Sequence, residues 1–340
     1  MTQKEVWALA RDGWKGLVLA LAVGALAWYF KEWTVAHNTI VIAKYVDHLI
    51  IALVLGIIVR AIVGFRPSFV SGFIAAPIIF LPIGILIYGL TDLDFSKLAK
   101  IDFAHLALLL IIVVVYLTII VLLGNLLGLK KQTTYLTATG SSICGAAAMA
   151  VTAPAVDAEP EDVSVSLLSV LVAGLVALFF IPLLVKNFNL AANAHALMSG
   201  MVLQFTGYVK IATASLGKDL ISLASLVKAA RYLALLIAIP IFSSKIKGKF
   251  NIPWYIYGFV AAGLIASFVH IGSGNFSAWI IAHKGKEMLN FVWAIGLAAI
   301  GLNTDIKYIF SINGLKTIVI ALAGLIAALL TFFVGNSIIS

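Results

Sequence analysis

The chain has 340 residues, 63% of them hydrophobic and 11% charged, with a formal net charge of +9. Average globular chains carry about 45–50% apolar and about 25% charged residues. That excess of apolar side chains excludes a soluble enzyme, a disordered chain and a secreted disulfide scaffold, and the absence of apolar–polar alternation excludes an outer-membrane barrel.

What remains is an all-α polytopic membrane protein of about 10–11 transmembrane helices, because spans of about 20 residues use up the length. No nucleic-acid partner is expected, since basic residues in such a chain first mark cytoplasmic loops. The single cysteine, Cys144, excludes an internal disulfide and a cysteine zinc cluster. No metal and no cofactor are expected.

In chain order, hydrophobic runs between polar breaks predict spans near 14–31, 46–64, 69–91, 103–129, 133–155, 163–185, 195–216, 220–243, 253–270, 287–303 and 314–338. Lys4, Arg11 and Lys15 precede the apolar run Gly16–Phe30, which resembles a signal peptide but is read as a retained first helix. With the N-terminus inside, thirteen basic residues face the cytoplasm: Lys4, Arg11, Lys15, Arg60, Arg66, Lys130, Lys131, Lys186, Lys245, Lys247, Lys249, Lys307 and Lys316. Eight face outward: Lys31, Lys44, Lys97, Lys100, Lys210, Lys218, Lys284 and Lys286. The imbalance predicts a cytoplasmic N-terminus in a cell membrane, with the lipid bilayer as surroundings.

The chain repeats itself. Gly84–Asp92 in the third span echoes Gly296–Asp305 at the tenth, and Gly124-Asn125 is matched by Gly335-Asn336. Spans three and ten lie an odd number of crossings apart, so the copies are expected to be inverted, as in transporters. A weaker echo relates Gly140–Gly145, followed by Pro182, to Gly200–Gly207, followed by Pro240. If spans five and seven both cross fully they lie the same way up. The echo is then coincidental, or one of the two is a re-entrant hairpin.

The fifth span carries the strongest motif. Gly140 and Gly145 flank Ser141, Ser142 and Cys144 in mid-membrane. Gly-Ser pairs break helices, and a break within hydrocarbon is tolerated only where it lines a cavity or packs inside protein. A helix restarting near Ser142 would aim free N–H groups at an anion. The alternative is a small-residue packing face.

Lys228 and Arg231 lie inside the eighth span, on one helical face. Each costs about 2.5–3.5 kcal/mol at a bilayer centre, so a counter-anion is expected, with snorkelling or a loop carboxylate as alternatives. No Asp or Glu falls in the middle of a span: Asp47, Asp92, Asp305 and Glu287 are near ends, as are His195, His270 and His283. The seventh span adds Gln204, Thr206, Tyr208 and Lys210, groups suited to an oxyanion. An intramembrane enzyme using Cys144 lacks a general base, and no nucleotide or hydrolase motif is present.

The chain resembles the YeiH family of bacterial and archaeal membrane proteins, labelled sulfate exporters. The likeness rests on Gly84–Gly89, Gly128–Lys131, the Gly-Ser-Ser-Ile-Cys-Gly run of Gly140–Gly145, Ala158-Glu159, Pro182, Lys228 with Arg231, Ile252–Trp254 and Gly301-Leu302. The resemblance implies kinship with cation/proton antiporters and bile-acid-type transporters. It implies an extra N-terminal helix (1–31) and two inverted five-helix repeats (46–185 and 195–340) in one transporter domain (1–340), with spans five and ten as discontinuous crossing helices. Where family members commonly carry His-Glu in the seventh span, this chain has Leu203 and Gln204, and Pro82 stands where Arg is usual.

The expected function is secondary transport of a small anion, a sulfate-like oxyanion or organic acid, outward in direction by the family label. The alternative is a sodium- or proton-coupled antiporter or symporter of the same fold. The expected substrate-binding residues are Gly140, Ser141, Ser142, Cys144, Gly145, Gln204, Thr206, Lys228, Arg231, Asn303 and Thr304. A small anionic substrate, a coupling ion (Na+ or H+) and a homodimer are the compatible partners. Ser142→Ala and Arg231→Ala are expected to abolish uptake with folding intact.

Overall fold

The computed structural model describes residues 3–37, 48–64, 67–93, 95, 101–248, 252–271, 274–275, 280, 284–305, 307 and 311–339. Lys44, Asp47, Arg66, Lys97, Lys100, Lys249 and His283, named above, lie outside these residues.

Helices form because long aliphatic stretches satisfy their own backbone groups where no water can. Seven described helices are long and apolar enough to cross a membrane, and two shorter ones, His48–Val63 and Trp254–Phe268, are also apolar. These nine match nine of the eleven expected spans. The fifth and seventh take another form, described below. A short helix that the hydrophobic pattern does not mark, α1 (Gln3–Asp12), precedes the first long one.

The chain divides into two compact units, and each draws helices from both expected repeats. The first contains α1, α2 (Trp14–His37), α3 (His48–Val63), α4 (Pro67–Asp92), the start of a helix beginning at Pro160, α13 (Trp254–Phe268) and α14 (Gly285–Asn303). A two-residue antiparallel pair joins His270–Ile271 to Gly274–Asn275.

Small residues set its packing, as expected where helices approach closely in a membrane. A Cβ on Gly84 would run into the Trp293 ring, and one on Gly296 would meet Leu81. A Cβ on Gly89 would meet the Phe259 carbonyl, and one on Gly301 the Leu53 carbonyl. Echoed glycines thus occupy corresponding crossings. Trp293 Nε1–H donates to the Leu81 carbonyl at 3.2 Å. Pro77 and Pro82 lie within α4 without ending it. The expected tenth span, α14, runs unbroken from Gly285 to Asn303, so it is not a discontinuous helix.

The second unit contains α5 (Phe103–Leu126), α6 (Lys131–Thr139), α7 (Ala146–Thr152), most of α8 (Pro160–Asn187), α9 (Ala192–Val202), α10 (Thr206–Ala212), α11 (Lys218–Ala230), α12 (Leu235–Lys247) and α15 (Ile312–Ile339). Asp102 caps α5 through the Ala104 N–H, and the neighbouring His105 holds its carboxyl below the usual range. Lys316 reaches the Leu127 carbonyl at 2.9 Å. Phe103, Leu110, Ile111, Val114, Leu122 and Leu126 remain exposed on α5, a face suited to lipid.

Candidate functional site: two hairpins held by two cations

Helix α6 continues into a π-turn, Gly140–Cys144, and stops at Gly145, whose φ of 69° and ψ of −127° no ordinary residue adopts readily. Helix α7 then leaves in a new direction. The Met149 side chain fills the space beside Gly140, nine positions back, although a straight helix would separate such residues by about 13 Å.

The Ser166 hydroxyl, six residues into α8, donates to the carbonyl of Thr133, near the start of α6, at 3.0 Å. Tyr135 stacks on Phe242 near the end of α12, with ring centroids 4.3 Å apart. Asp157, after α7, pairs with Lys247 at 3.2 Å. Both limbs therefore begin and end at the same extremity of the unit. The fifth span is a hairpin.

The seventh span does the same. Helix α9 ends at Val202, Leu203 and Phe205 are extended, and α10 starts at Thr206. His195 near the start of α9 hydrogen-bonds the backbone of Ala212 at the end of α10. Neither expected span crosses the unit as a single helix.

Each limb that enters ends with carbonyls lacking helical partners. Those carbonyls converge on two side chains of α11 and the 3₁₀ turn after it (Arg231–Ala234). Lys228 Nζ donates to the carbonyls of Ile143 at 2.7 Å, Leu203 at 2.6 Å and Gln204 at 2.7 Å. Arg231 Nε donates to Ser142 O at 2.7 Å and Nη2 to Ser141 O at 2.8 Å. Its Nη1 donates to Leu203 O at 2.7 Å and lies 3.4 Å from Gly200 O. Each cation holds both hairpins. Lys228 is 0% exposed and Arg231 1%.

The partners expected for these cations were a substrate anion, a loop carboxylate or the interface. The structure supplies main-chain carbonyls instead, an arrangement that satisfies charge and helix ends together. Among the described residues, neither cation has a carboxylate within ion-pair distance.

Tyr116 of α5 was not anticipated. Its hydroxyl donates to Val202 O at 3.1 Å and accepts from Gln204 Nε2 at 3.1 Å. Its ring lies 5.9 Å from the Arg231 guanidinium carbon. Because the single phenolic proton goes to Val202, the Gln204 amide must turn its nitrogen toward Tyr116. Gln204 Oε1 is left buried without a partner, as are the Ser141 and Ser142 hydroxyls. A lone tyrosine in the middle of a largely aliphatic span was the available signal. The carbonyls of Ile143 and Leu203 gave none, since every residue carries one.

The remaining expected residues are placed as follows. Cys144 and Gly145 form the tip of the first hairpin, where Gly145 abuts the Phe205 ring. The Thr206 hydroxyl lies 3.4 Å from that of Tyr232. Asn303 and Thr304 belong to the first unit; there the Thr304 hydroxyl donates to Ile300 O at 2.8 Å and lies 2.8 Å from the Ser164 hydroxyl.

Comparison with known proteins agrees with the helical membrane fold. A family model described as conserved hypothetical protein 698 matches residues 15–321. A UPF0324 membrane protein of Brucella melitensis is 29% identical over 322 residues, covering 92% of this chain and 87% of the relative. One from Bradyrhizobium diazoefficiens is 25% identical over 320 residues, 91% of this chain and 88% of the relative. A third, from Staphylococcus epidermidis, is 22% identical over 306 residues, 87% and 88% of the two chains. No solved structure matches. With a family match across most of its length and relatives aligned nearly end to end, the chain belongs to the conserved hypothetical protein 698 family, the UPF0324 membrane proteins.

Proposed function

We propose that the protein is a secondary transporter of a small anion, an oxyanion or organic acid, working by alternating access. One observation carries the reading: two buried cations whose charge is met by carbonyl dipoles and by no carboxylate among the described residues. Carbonyl oxygens solvate a cation without cancelling its charge. The hairpin tips therefore keep a positive potential, strengthened by a surrounding of low dielectric. Beside them, the unpartnered hydroxyls of Ser141 and Ser142 offer donors. These hydroxyls and Gln204 are the proposed contacts for the anion. Lys228 and Arg231 act on it through space.

The hairpins also repair the reading of the repeats. If neither crosses the bilayer, the nine apolar helices found among the described residues do. The copies at Gly84 and Gly296 and at Gly124 and Gly335 stay inverted, and those at Gly140 and Gly200 become so, with the hairpins entering from opposite faces. Inverted repeats with broken elements at their centre are a transporter architecture. In this topology Lys186 moves outward, leaving twelve basic residues on the side of the N-terminus against nine opposite. A cytoplasmic N-terminus in the cell membrane still follows.

The test is a thermal-unfolding screen of purified protein against inorganic oxyanions and small carboxylates, followed by uptake into proteoliposomes. A ligand of the folded state raises the midpoint by mass action. The expected result is stabilisation by one anion class, lost in Ser142→Ala. The absence of any anion response, with transport of a neutral or cationic solute, would overturn it.

A further inference from the structure

We infer that Lys228 and Arg231 are tethered substitutes for a coupling cation, so that the transport cycle runs without sodium and without protonation of a carrier at this site. The inference rests on the transport reading and adds how that transport is driven.

Where transporters bind sodium, unwound backbone carbonyls and half-helix C-terminal ends supply the oxygens. This molecule has such a set. Ile143 O from the first hairpin and Leu203 O and Gln204 O from the second converge on one point, and the Lys228 ammonium occupies it. The next carbonyls along, Ser141 O, Ser142 O and a second lone pair of Leu203 O, are taken by the Arg231 guanidinium. A sodium ion entering here would have to displace a covalently attached cation. It would also have to approach a second positive charge one helical turn away.

The same geometry argues against a proton carrier. An ammonium has three N–H donors and no acceptor, and all three protons of Lys228 are spent on carbonyls 2.6–2.7 Å away. Losing one would leave a nitrogen lone pair facing a carbonyl oxygen, with two hairpins to rearrange. Arg231 keeps its charge in proteins. Among the described residues, the other side chains set around this pair are Tyr116 from α5, Gln204 from the second hairpin, Ser141, Ser142 and Cys144 from the first, and Tyr232 beside Arg231. None is a carboxylate or an imidazole.

The experiment measures the unfolding midpoint of purified protein in sodium chloride and in N-methyl-D-glucamine chloride at equal ionic strength. It is repeated for Lys228→Ala, with and without methylammonium, and for Arg231→Ala, with and without guanidinium. The wild type is expected to show no sodium-dependent shift. Lys228→Ala is expected to melt lower and to regain some of the loss with methylammonium or sodium, and Arg231→Ala with guanidinium. Should the variants fail to fold, a sodium jump and a pH jump on wild-type proteoliposomes decide the matter, with no charge displacement expected from either. A sodium-dependent midpoint, or a sodium- or pH-evoked displacement, in the wild type would overturn the inference. So would truncated variants that fold and respond to no cation. The anion screen is separate: an anion response together with a sodium response would retain anion transport and remove only the tethered-cation assignment.

Discussion

At the scale of single residues, the site is governed by where donors go. Arg231 spends its fork on three carbonyls within 2.8 Å, so Arg231→Lys, although it keeps the charge, cannot make the same bonds. Each bond from a charged group is worth about 1.5–3 kcal/mol. The variant is expected to lose at least about 2 kcal/mol, measured by thermal unfolding in detergent. This revises the expectation that Arg231→Ala leaves folding intact, because removing the side chain abandons carbonyls of both hairpins. Ser142 differs: its hydroxyl is unpartnered, and only its carbonyl holds Arg231. Ser142→Ala is expected to keep the midpoint within about 0.5 kcal/mol and to lose the anion response. Tyr116→Phe removes the bond to Val202 and frees the Gln204 amide, at an expected cost of about 1–3 kcal/mol. The two buried cations were legible in the sequence as an anomaly. Their partners were not, since a carbonyl acceptor leaves no mark on residue identity.

At the scale of elements, the fifth span turns on one torsion. Gly140 and Gly145 were legible as a break, and the Ser-Ser pair as polar groups in apolar surroundings. The doubling-back was not legible, because a kinked crossing helix and a hairpin use the same small, apolar residues. What separates them is the backbone of Gly145, at a φ where side chains are strained, with the Phe205 ring against its Cα. Gly145→Ala is expected to destabilise by about 1–3 kcal/mol from backbone strain alone, and further from the Phe205 contact. Gly128→Ala makes the control: its φ is also positive, at 68°, but nothing lies within reach of an added Cβ. It should cost less in the same unfolding assay. The long aliphatic helices were legible throughout, since period matters little when every face is buried or meets lipid.

At the scale of the whole molecule, the two hairpins decide which loops share a side. Cys144 is the sole cysteine, so a Cys144→Ser background permits clean labelling. Lys130→Cys and Asp157→Cys bracket the first hairpin at exposed positions, and Asn189→Cys and Lys218→Cys bracket the second. An impermeant maleimide applied to intact cells is expected to label 189 and 218 and to spare 130 and 157. Opposite outcomes within either bracket would mean that the segment crosses. Composition supplied the helical membrane class, and the basic-loop count supplied the orientation that this labelling tests. The broken pair expected from family likeness, spans five and ten, is not the one seen: span ten is a single helix, and the breaks fall in spans five and seven, which the weaker internal echo had related.

The double grip of α11 has a mechanical side. Lys228 and Arg231 each bind a carbonyl from both hairpins, so the tips cannot swing open in succession like a pair of doors. Separating them would strip several short, charge-assisted bonds at once, from side chains buried away from the surface. Any motion that serves this protein must leave the grip closed and carry both tips, with their charge, as a single freight.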